Sequence, residues 1–489
     1  MGHEKGQPQK AHFIGICGAG MSAVAKLLRD QGWEVSGSDA GFYPPVSDFL
    51  LSQNLDCRTP HDPSNIPPDA TLIVIGKHAK LTPEANTEVR AAFDLQEQGR
   101  AVIRSFPEVL HQLTEKTRNI VVAGSYGKST TTALLSWMLQ ESGKDPSYFI
   151  GAIPLGFPSN SRLGQGGLFV LEGDEYPSSN WDERSKFLHL NAQTVVLTSC
   201  EYDHFNVFKT EEDYIDRYRQ LIRSLPADGL LVACLDGSHV GEVIKEAPCR
   251  VVTYSTHPEK SADWTVGPRR FEREWTHFEI LHSTGGKSES VGEFSTILLG
   301  RHNIEDILGA VAAILELAAL TGEQAQNAIR NFKGLRRRLE LKTEGTTVLI
   351  YEDLSSSFPK ARACLEGVRE RYPDRRIVAV FQPHTFSFRS RKALEWYPGM
   401  FADANEVVVF SPPDLHGLTP AEELSHDEIL TAIREGNDCP VTAVSDKEET
   451  LKHLNAALRP NDVVVIMTSG GMGGAIEPIV EMVQAKFPV

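Results

Sequence analysis

The stretch VVAGSYGKSTTT, Val121 to Thr132, decides how this chain is read. A phosphate-binding P-loop follows G-x-x-x-x-G-K-[ST]. Gly127, Lys128 and Ser129 supply the second half of that pattern, but the place of its first glycine is taken by Val122, and a glycine stands two residues later at Gly124. The apolar residues before the loop predict a strand, and TTTALLSWMLQ after it predicts a helix. At such a turn, backbone N–H groups at a helix N-terminus surround phosphate oxygens. Lys128 then reaches the terminal phosphates and the Ser129 hydroxyl binds Mg²⁺. A plain strand-to-helix turn with a chance Gly-Lys-Ser is the competing reading, and the flanking strand and helix weigh against it.

The same syntax recurs on either side. Upstream, AHFIGICGAGMSAVAKLLRDQGWEVSGSDA predicts a strand over His12 to Ile16, a glycine turn, a helix over Met21 to Gln31 and a strand over Glu34 to Ser38 ending at Asp39. GICGAGMS is G-x-x-G-x-G, a weak form of the dinucleotide fingerprint. It supports a nucleotide or diphosphate at the helix start, with Asp39 near the sugar or base, and a tight β-α turn stays open beside it. TLIVIG (Thr71 to Gly76) reads as a buried strand, and polar LTEKTRN (Leu113 to Asn119) as a boundary. Further strands are predicted at Leu168 to Gly173, Thr194 to Cys200 and near Leu230. The polar stretch around His257 to Ser290 suits antiparallel strands, and His302 to Leu320 a helix. After GLRRRLELK come strands at Thr347 to Asp353, Ile377 to Pro383 and Glu406 to Pro413, a helix near Ala361 to Arg371, and a closing strand, glycine turn and helix. Alternation of this kind implies parallel, doubly wound α/β sheets. With 489 residues, three such domains in series are expected.

A formal net charge of -16 argues against a general nucleic-acid binder. Seven cysteines with no C-x-x-C pair point away from a disulfide framework or zinc site, toward reduced thiols. The polar start MGHEKGQPQK has no apolar signal core, and no run approaches a membrane span. A cytoplasmic protein, monomeric or weakly homodimeric, is the expectation.

Two acidic groups follow predicted strands, where ligands bind in open α/β sheets. VLEGDEY presents Glu172, Asp174 and Glu175, and TSCEYDHFN presents Glu201, Asp203 and His204. Both suit Mg²⁺, which takes carboxylate and phosphate oxygens, and spacing leaves Glu172 and Glu175 equally open. GLRRRLE places Arg336, Arg337 and Arg338 between the second and third modules, where an arginine can close on developing phosphate charge; a basic linker is the other reading.

Taken in order, G-x-x-G-x-G-M, G-[ST]-x-G-K-[ST]-T-T, E-x-D-E, E-x-D-H, H-N-x-x-[ND], an R-x-E pair and G-G-x-G-G resemble the Mur ligases, ATP-dependent amide-forming enzymes of peptidoglycan synthesis. The resemblance runs from about residue 11 to about 480. The family's loop lacks the first Walker glycine and has its glycine where this chain has Gly124. It implies a three-domain α/β architecture: a Rossmann-like UDP-sugar domain over 1–116, a P-loop ATPase-like domain over 117–336 and a Rossmann-like domain over 337–489. The glycine turn, GSDAGFYPPVSDFL (Gly37 to Leu50) and EGDEYPSSNWDERSKFLHL (Glu172 to Leu190) resemble the branch that joins UDP-N-acetylmuramate to a recovered alanyl tripeptide in peptidoglycan recycling. The branch that adds L-alanine is the next in likeness.

Residue by residue, the resemblance implies Gly18, Ala19, Gly20, Met21 and Ser22 at the UDP diphosphate and Asp39 near the uridine. Gly124, Ser125, Tyr126, Gly127, Lys128, Ser129 and Thr130 would hold the ATP phosphates. Ser129, Glu172 and His204 would be Mg²⁺ ligands, and His302, Asn303 and Asp306 would lie at the adenine, Asp306 standing where the family usually has Asn. Arg338 would meet the γ-phosphate and Asp353 the ribose. FQPHTFSFRSR makes His384 and Arg389 candidates at the amine substrate. Two departures bear on that substrate. The family's Thr-His before Gly-Lys is Ser125-Tyr126, and its D-Y-[GA]-H-H-P is DLSSSFP, Asp353 to Pro359, with Ser356 and Ser357 in place of the two histidines. Two other readings stay in view: a nicotinamide-dependent oxidoreductase, which leaves the Gly124 loop unexplained, and a non-catalytic homologue that binds nucleotide sugar alone.

Overall fold

Strands with no polar face must be covered on both sides, and the apolar runs of this chain are placed accordingly. The computed structural model describes residues 9–42, 46–203, 207–413 and 422–489. The first sheet is all parallel, in the order Asp56–Arg58, Glu34–Ser38, Lys10–Ile14, Leu72–Ile75, Val102–Arg104. Its order reverses at Lys10–Ile14, which opens a crevice at the C-terminal ends of Lys10–Ile14 and Leu72–Ile75. The strand expected over His12 to Ile16 lies two residues earlier because Gly15, at φ +85°, ends it. The N–H groups of Gly15 and Ile16 both donate to the Ser38 carbonyl, at 2.9 and 3.1 Å, so Ile16 enters the core from the turn.

Among the described residues the central sheet has eleven strands. Seven run parallel in the order Trp264–Val266, Arg250–Ser255, Leu230–Cys234, Thr194–Leu197, Arg118–Ala123, Leu168–Glu172, Ser147–Phe149. The polar stretch after His257 is antiparallel, as its composition predicts: Trp275–Thr284 pairs with Trp264–Val266, Arg270–Glu272 and Lys287–Thr296. Helix Lys128–Glu141 has buried side chains from Thr130 to Leu139, because it packs under the sheet and against helices Arg301–Glu316 and Gly322–Asn331. Strand Thr194–Leu197 stops three residues before its expected end. Thr198 and Ser199 instead bond to the phosphate-loop segment, through Thr198 N to Ala123 O (3.0 Å) and Ser125 N to Ser199 O (3.1 Å).

The third sheet runs Glu340–Leu341, Leu349–Asp353, Val463–Met467, Ile377–Phe381, Glu406–Phe410, Val441–Val444, parallel except at the first pair. Its helix Phe358–Arg371 docks on the central unit. Gly367 lies so close to Gly300 that a Cβ would stand 2.8 Å from the Gly300 Cα. The buried Arg371 guanidinium donates to the carbonyls of Arg273 (3.1 Å) and Trp275 (2.8 Å) and to Thr276 Oγ1 (2.7 Å). No helix among the described residues is long and apolar enough to cross a membrane, and all seven cysteines are free.

Under the first crevice lies a buried polar knot. Glu88 accepts from His12 Nε2 (2.8 Å), Ser38 Oγ (2.7 Å), His61 Nδ1 (3.2 Å) and Asp62 N (3.1 Å). Burial alone would raise the Glu88 carboxyl, but the hydrogen bonds from His12, His61 and Ser38 outweigh it and hold it down at about 2. A depressed folded-state value means stability present above the ordinary value of 4.5 and lost as pH falls toward about 2. Glu88→Gln should therefore lower the melting temperature at pH 7, by roughly 3–8 °C. The gap to wild type should close as melting curves are taken from pH 5 down toward pH 2.

Candidate functional site

The phosphate loop is tied down from two sides. Gly124 has φ +145°, and a Cβ there would overlap Thr198 Oγ1 and the Ser199 backbone. Gly127, at φ +76°, caps the helix, and a Cβ there would overlap the Asp306 carboxylate. Thr198 Oγ1 donates to the Tyr126 carbonyl, and Ser125 Oγ to the Glu201 carbonyl at 2.6 Å. The loop is thus held by the segment that follows strand Thr194–Leu197 and by helix Arg301–Glu316.

Two cavities open above the sheet edges. The first, about 480 Å³, is lined by the loop from Ser125 to Thr130 with Glu172, Glu201, Asp236, His302, Asn303, Asp306, Arg338, Asp353 and Lys360 among others. The second, about 820 Å³, is lined by Gly18, Ala19, Gly20, Met21, Asp39, His61, Lys77, Lys186 and others at the first sheet's crevice. Glu172 lines both. Its Oε1 accepts from Ser129 Oγ at 3.0 Å and its Oε2 from Gly151 N at 2.7 Å. Burial pushes the Glu172 carboxyl up against the opposing pull of Lys128, so a cation beside it is favoured.

Glu175, equally open on spacing, is fully buried and faces another way. It pairs with Lys128 Nζ at 3.0 Å and accepts from Tyr214 OH at 3.4 Å. Lys128 also donates to the Gly124 carbonyl. Burial would lower the Lys128 ammonium, but the carboxylates of Glu175, Asp174 and Glu172 outweigh it and keep the cation charged. Asp306, buried beside Glu305, is pushed well up and bonds Thr131 Oγ1 at 3.1 Å. His302 is lowered by burial and lies next to Asn303, its Nε2 3.1 Å from Asn303 Nδ2. Asp353 accepts from Leu339 N (3.0 Å) through one oxygen and from Ser355 N (2.8 Å) and Oγ (2.6 Å) through the other, and so joins the linker to the third sheet.

Arg338 sits where the chain crosses between units. Arg336 N bonds the Ile153 carbonyl at 2.9 Å on the central side. Arg337 pairs with Glu352 at 2.9 Å and donates to Thr468 O (2.6 Å) and Gly470 O (2.9 Å) on the C-terminal side. Both neighbours of Arg338, Arg337 and Leu339, have positive φ (57° and 48°), a backbone twist that leaves Arg338 lining the first cavity.

At the second cavity, Asp39 accepts from the N–H groups of Cys17 (2.8 Å) and Ala40 (2.7 Å), and Ser22 is buried behind the turn. Lys186 reaches from the central unit, bonding Asp174 at 2.6 Å and lying 5.4 Å from the Phe106 and Tyr176 ring centres. Of the amine-site candidates, Ser356 lies beside Lys360 and Ser357 is buried at the N-cap of the docking helix. His384 bonds Ser469 at 3.1 Å, and Arg389 is buried, pairing with Glu423 and the Pro413 carbonyl. Neither His384 nor Arg389 lines the two cavities. His204 lies outside the described residues. Sequence reasoning missed Lys360, Lys186, Asp236 and Glu305. Lys186 stands in the Arg-Ser-Lys-Phe run and Lys360 directly follows Phe358-Pro359, but neither carries a chemical signature of its own.

The Mur ligase family, catalytic domain, matches residues 10–117; the Mur ligase middle domain matches 122–314; and the Mur ligase glutamate ligase domain matches 337–470. A UDP-N-acetylmuramate–L-alanine ligase of Geobacter sulfurreducens is 31% identical over 96% of both chains. A UDP-N-acetylmuramate–L-alanyl-γ-D-glutamyl-meso-2,6-diaminoheptanedioate ligase of Haemophilus influenzae is 26% identical over 97% of this chain and 99% of that one. The crystal structure of a UDP-N-acetylmuramate–alanine ligase from Thermotoga maritima superposes with a TM-score of 0.77 at 22% identity, over 97% of this chain and 99% of that one, and shows the fold. With the three domain families matched in order and a relative alike over nearly its whole length, the chain belongs to the Mur ligase family.

Proposed function

We propose that this protein is an ATP-dependent ligase that joins UDP-N-acetylmuramate to an alanyl peptide, the tripeptide L-alanyl-γ-D-glutamyl-meso-diaminopimelate, through an acyl phosphate. The observation that carries the reading is Glu172, whose carboxylate borders both cavities. A nucleotide sugar in the larger cavity and ATP in the smaller would bring the lactyl carboxylate and the γ-phosphate together at that wall. The tripeptide is favoured over L-alanine by two features. Lys186, from the run that resembles the tripeptide branch, reaches into the nucleotide-sugar cavity. Ser356 and Ser357 are smaller than the histidines that the family carries there, which would ease the approach of a larger acceptor from that side. The higher identity to an L-alanine-adding relative supports L-alanine as the second reading.

The division into 1–116, 117–336 and 337–489 assigns one substrate role to each unit: nucleotide sugar, ATP, and amine with closure. The backbone turn Gly18 to Met21 at the start of helix Ala19–Asp30 would face the diphosphate, and Asp39 holds that turn in shape. The loop Gly124 to Thr130 would wrap the ATP phosphates, His302, Asn303 and Asp306 would face the adenine side, and Asp353 the ribose. Ser129 and Glu172 offer two oxygen donors 3.0 Å apart, a set that fits a hard divalent cation; His204 would complete it. Mg²⁺ held there by Ser129 and Glu172 would supply positive charge to the phosphate oxygens. Lys128 and Arg338 stabilise charge on the phosphoryl oxygens as the carboxylate attacks. The acyl phosphate then meets the amine near Ser356, with His384 and Arg389 shaping that side from the third unit. Closure of the docking helix keeps water from the acyl phosphate.

Phosphate release from ATP should require UDP-N-acetylmuramate together with an alanyl acceptor, and kcat/KM should be higher with the tripeptide than with L-alanine. Release indifferent to the nucleotide sugar would contradict the reading, and preference for L-alanine would move it to the second branch. Lys128→Ala should lower turnover by at least about a thousandfold, measured by product formation on protein shown to be folded by circular dichroism, and should also lower the melting temperature because the buried Glu175 loses its partner; retained turnover would remove the phosphate-loop assignment.

A further inference from the structure

Lys360, Gly367 and Arg371 fall on one face of helix Phe358–Arg371, since steps of seven and eleven residues return to the same side. Gly367 and Arg371 lock that face to the central unit through Gly300 and the 273–276 backbone. Lys360, at the leading end of the same face, therefore enters the first cavity at a fixed depth. Its Nζ lies 5.1 Å from the centre of the Tyr126 ring, 3.8 Å from Asp203 Oδ2, and donates to Ser356 Oγ at 3.2 Å. Lys128 is already neutralised by Glu175 at hydrogen-bond distance. The nearest carboxylate to Lys360 among the described residues stands outside that distance, and an ammonium has three donors to satisfy. Burial weakens the cation, down to about 8, which Asp203 opposes. The site is thus a partly buried ammonium with an aromatic seat and spare donors, facing a phosphate loop.

We propose that Lys360 is a catalytic cation supplied by the third unit to the transferring phosphoryl group, seated on Tyr126, and that this pair replaces the side chains lost at Tyr126, Ser356 and Ser357. The inference rests on the ligase reading above. In the first step the lactyl carboxylate oxygen forms a bond to Pγ, the bond from Pγ to the β,γ-bridging oxygen breaks, and ADP leaves with the electron pair. No proton moves, and Lys360 donates to the phosphoryl oxygens throughout. In the second step the amine nitrogen bonds the acyl carbon, the acyl C–O bond breaks, and phosphate leaves with that pair and takes up the surplus amine proton. Lys360 again faces the phosphate as its charge grows. Because the docking helix carries it, the cation is present only when the third unit is seated, which couples phosphoryl transfer to closure.

The test uses full-length protein with ATP, UDP-N-acetylmuramate and the best acceptor. Lys360→Met should lower kcat by about a hundredfold, the size expected for one lost donor, with KM for ATP and nucleotide sugar within about threefold. Lys360→Arg should recover most of the loss, and all variants should melt with wild type. Tyr126→Leu should lower kcat less, and adding it to Lys360→Met should cost nothing further, since the two act as one unit. A kcat for Lys360→Met within twofold of wild type overturns the proposal, as does an arginine variant no better than the methionine one. Wild-type protein that consumes no ATP with any acceptor would instead bring down the ligase reading, and this inference with it.

Discussion

Everything at this site turns on one carboxylate placed where two cavities share a wall. Glu172 is the last residue of strand Leu168–Glu172, and both its oxygens are held, one by Ser129 at the start of the phosphate-loop helix and one by the Gly151 amide. Its position follows from register: Val122 pairs with Glu172 across the parallel ladder, so the strand leading into the phosphate loop and the strand ending in Glu172 finish together. A shift of one residue would turn Glu172 to the other face of the sheet. The apolar strand interior that fixes this register, with Val121, Val122, Val170 and Leu171 fully buried, thereby also fixes the chemistry.

The charge arrangement follows the same logic of fixed parts. Lys128 is held by Glu175, Arg338 by a twisted linker anchored on both sides, and Lys360 by a helix that cannot slide past the Gly300–Gly367 contact. Each cation comes from a different stretch of chain, and two depend on the third unit being seated. A cavity that gathers cations this way is suited to anionic groups, and the surrounding carboxylates keep it from being a trap for any anion at all.

The fold was legible because strand, glycine turn and helix recur with strong apolar patterning, and three α/β units follow from that alone. What the pattern could not set were ends decided by backbone bonds: Gly15 stopping the first strand early, and Thr198 and Ser199 leaving theirs to brace the phosphate loop. Residues adjacent to the loop in sequence, Gly124 to Thr130, were readable as a group, whereas the choice between Glu172 and Glu175 needed the pleat of the sheet. Lys360 was invisible because its meaning arises only when a helix some 230 residues from Lys128 docks across the units, and Lys186 for the same reason. The roles of His384 and Arg389 came from motif likeness, and their contacts keep both within the third unit.

The central claim is that the sugar's carboxylate attacks the γ-phosphate at the Glu172 wall. The most direct measurement is transfer of ¹⁸O. UDP-N-acetylmuramate carrying ¹⁸O in its lactyl carboxylate is turned over with ATP and acceptor, and the inorganic phosphate is examined by mass spectrometry. The account predicts that each phosphate formed carries one oxygen from the carboxylate. Phosphate without label, formed alongside amide product, would contradict it.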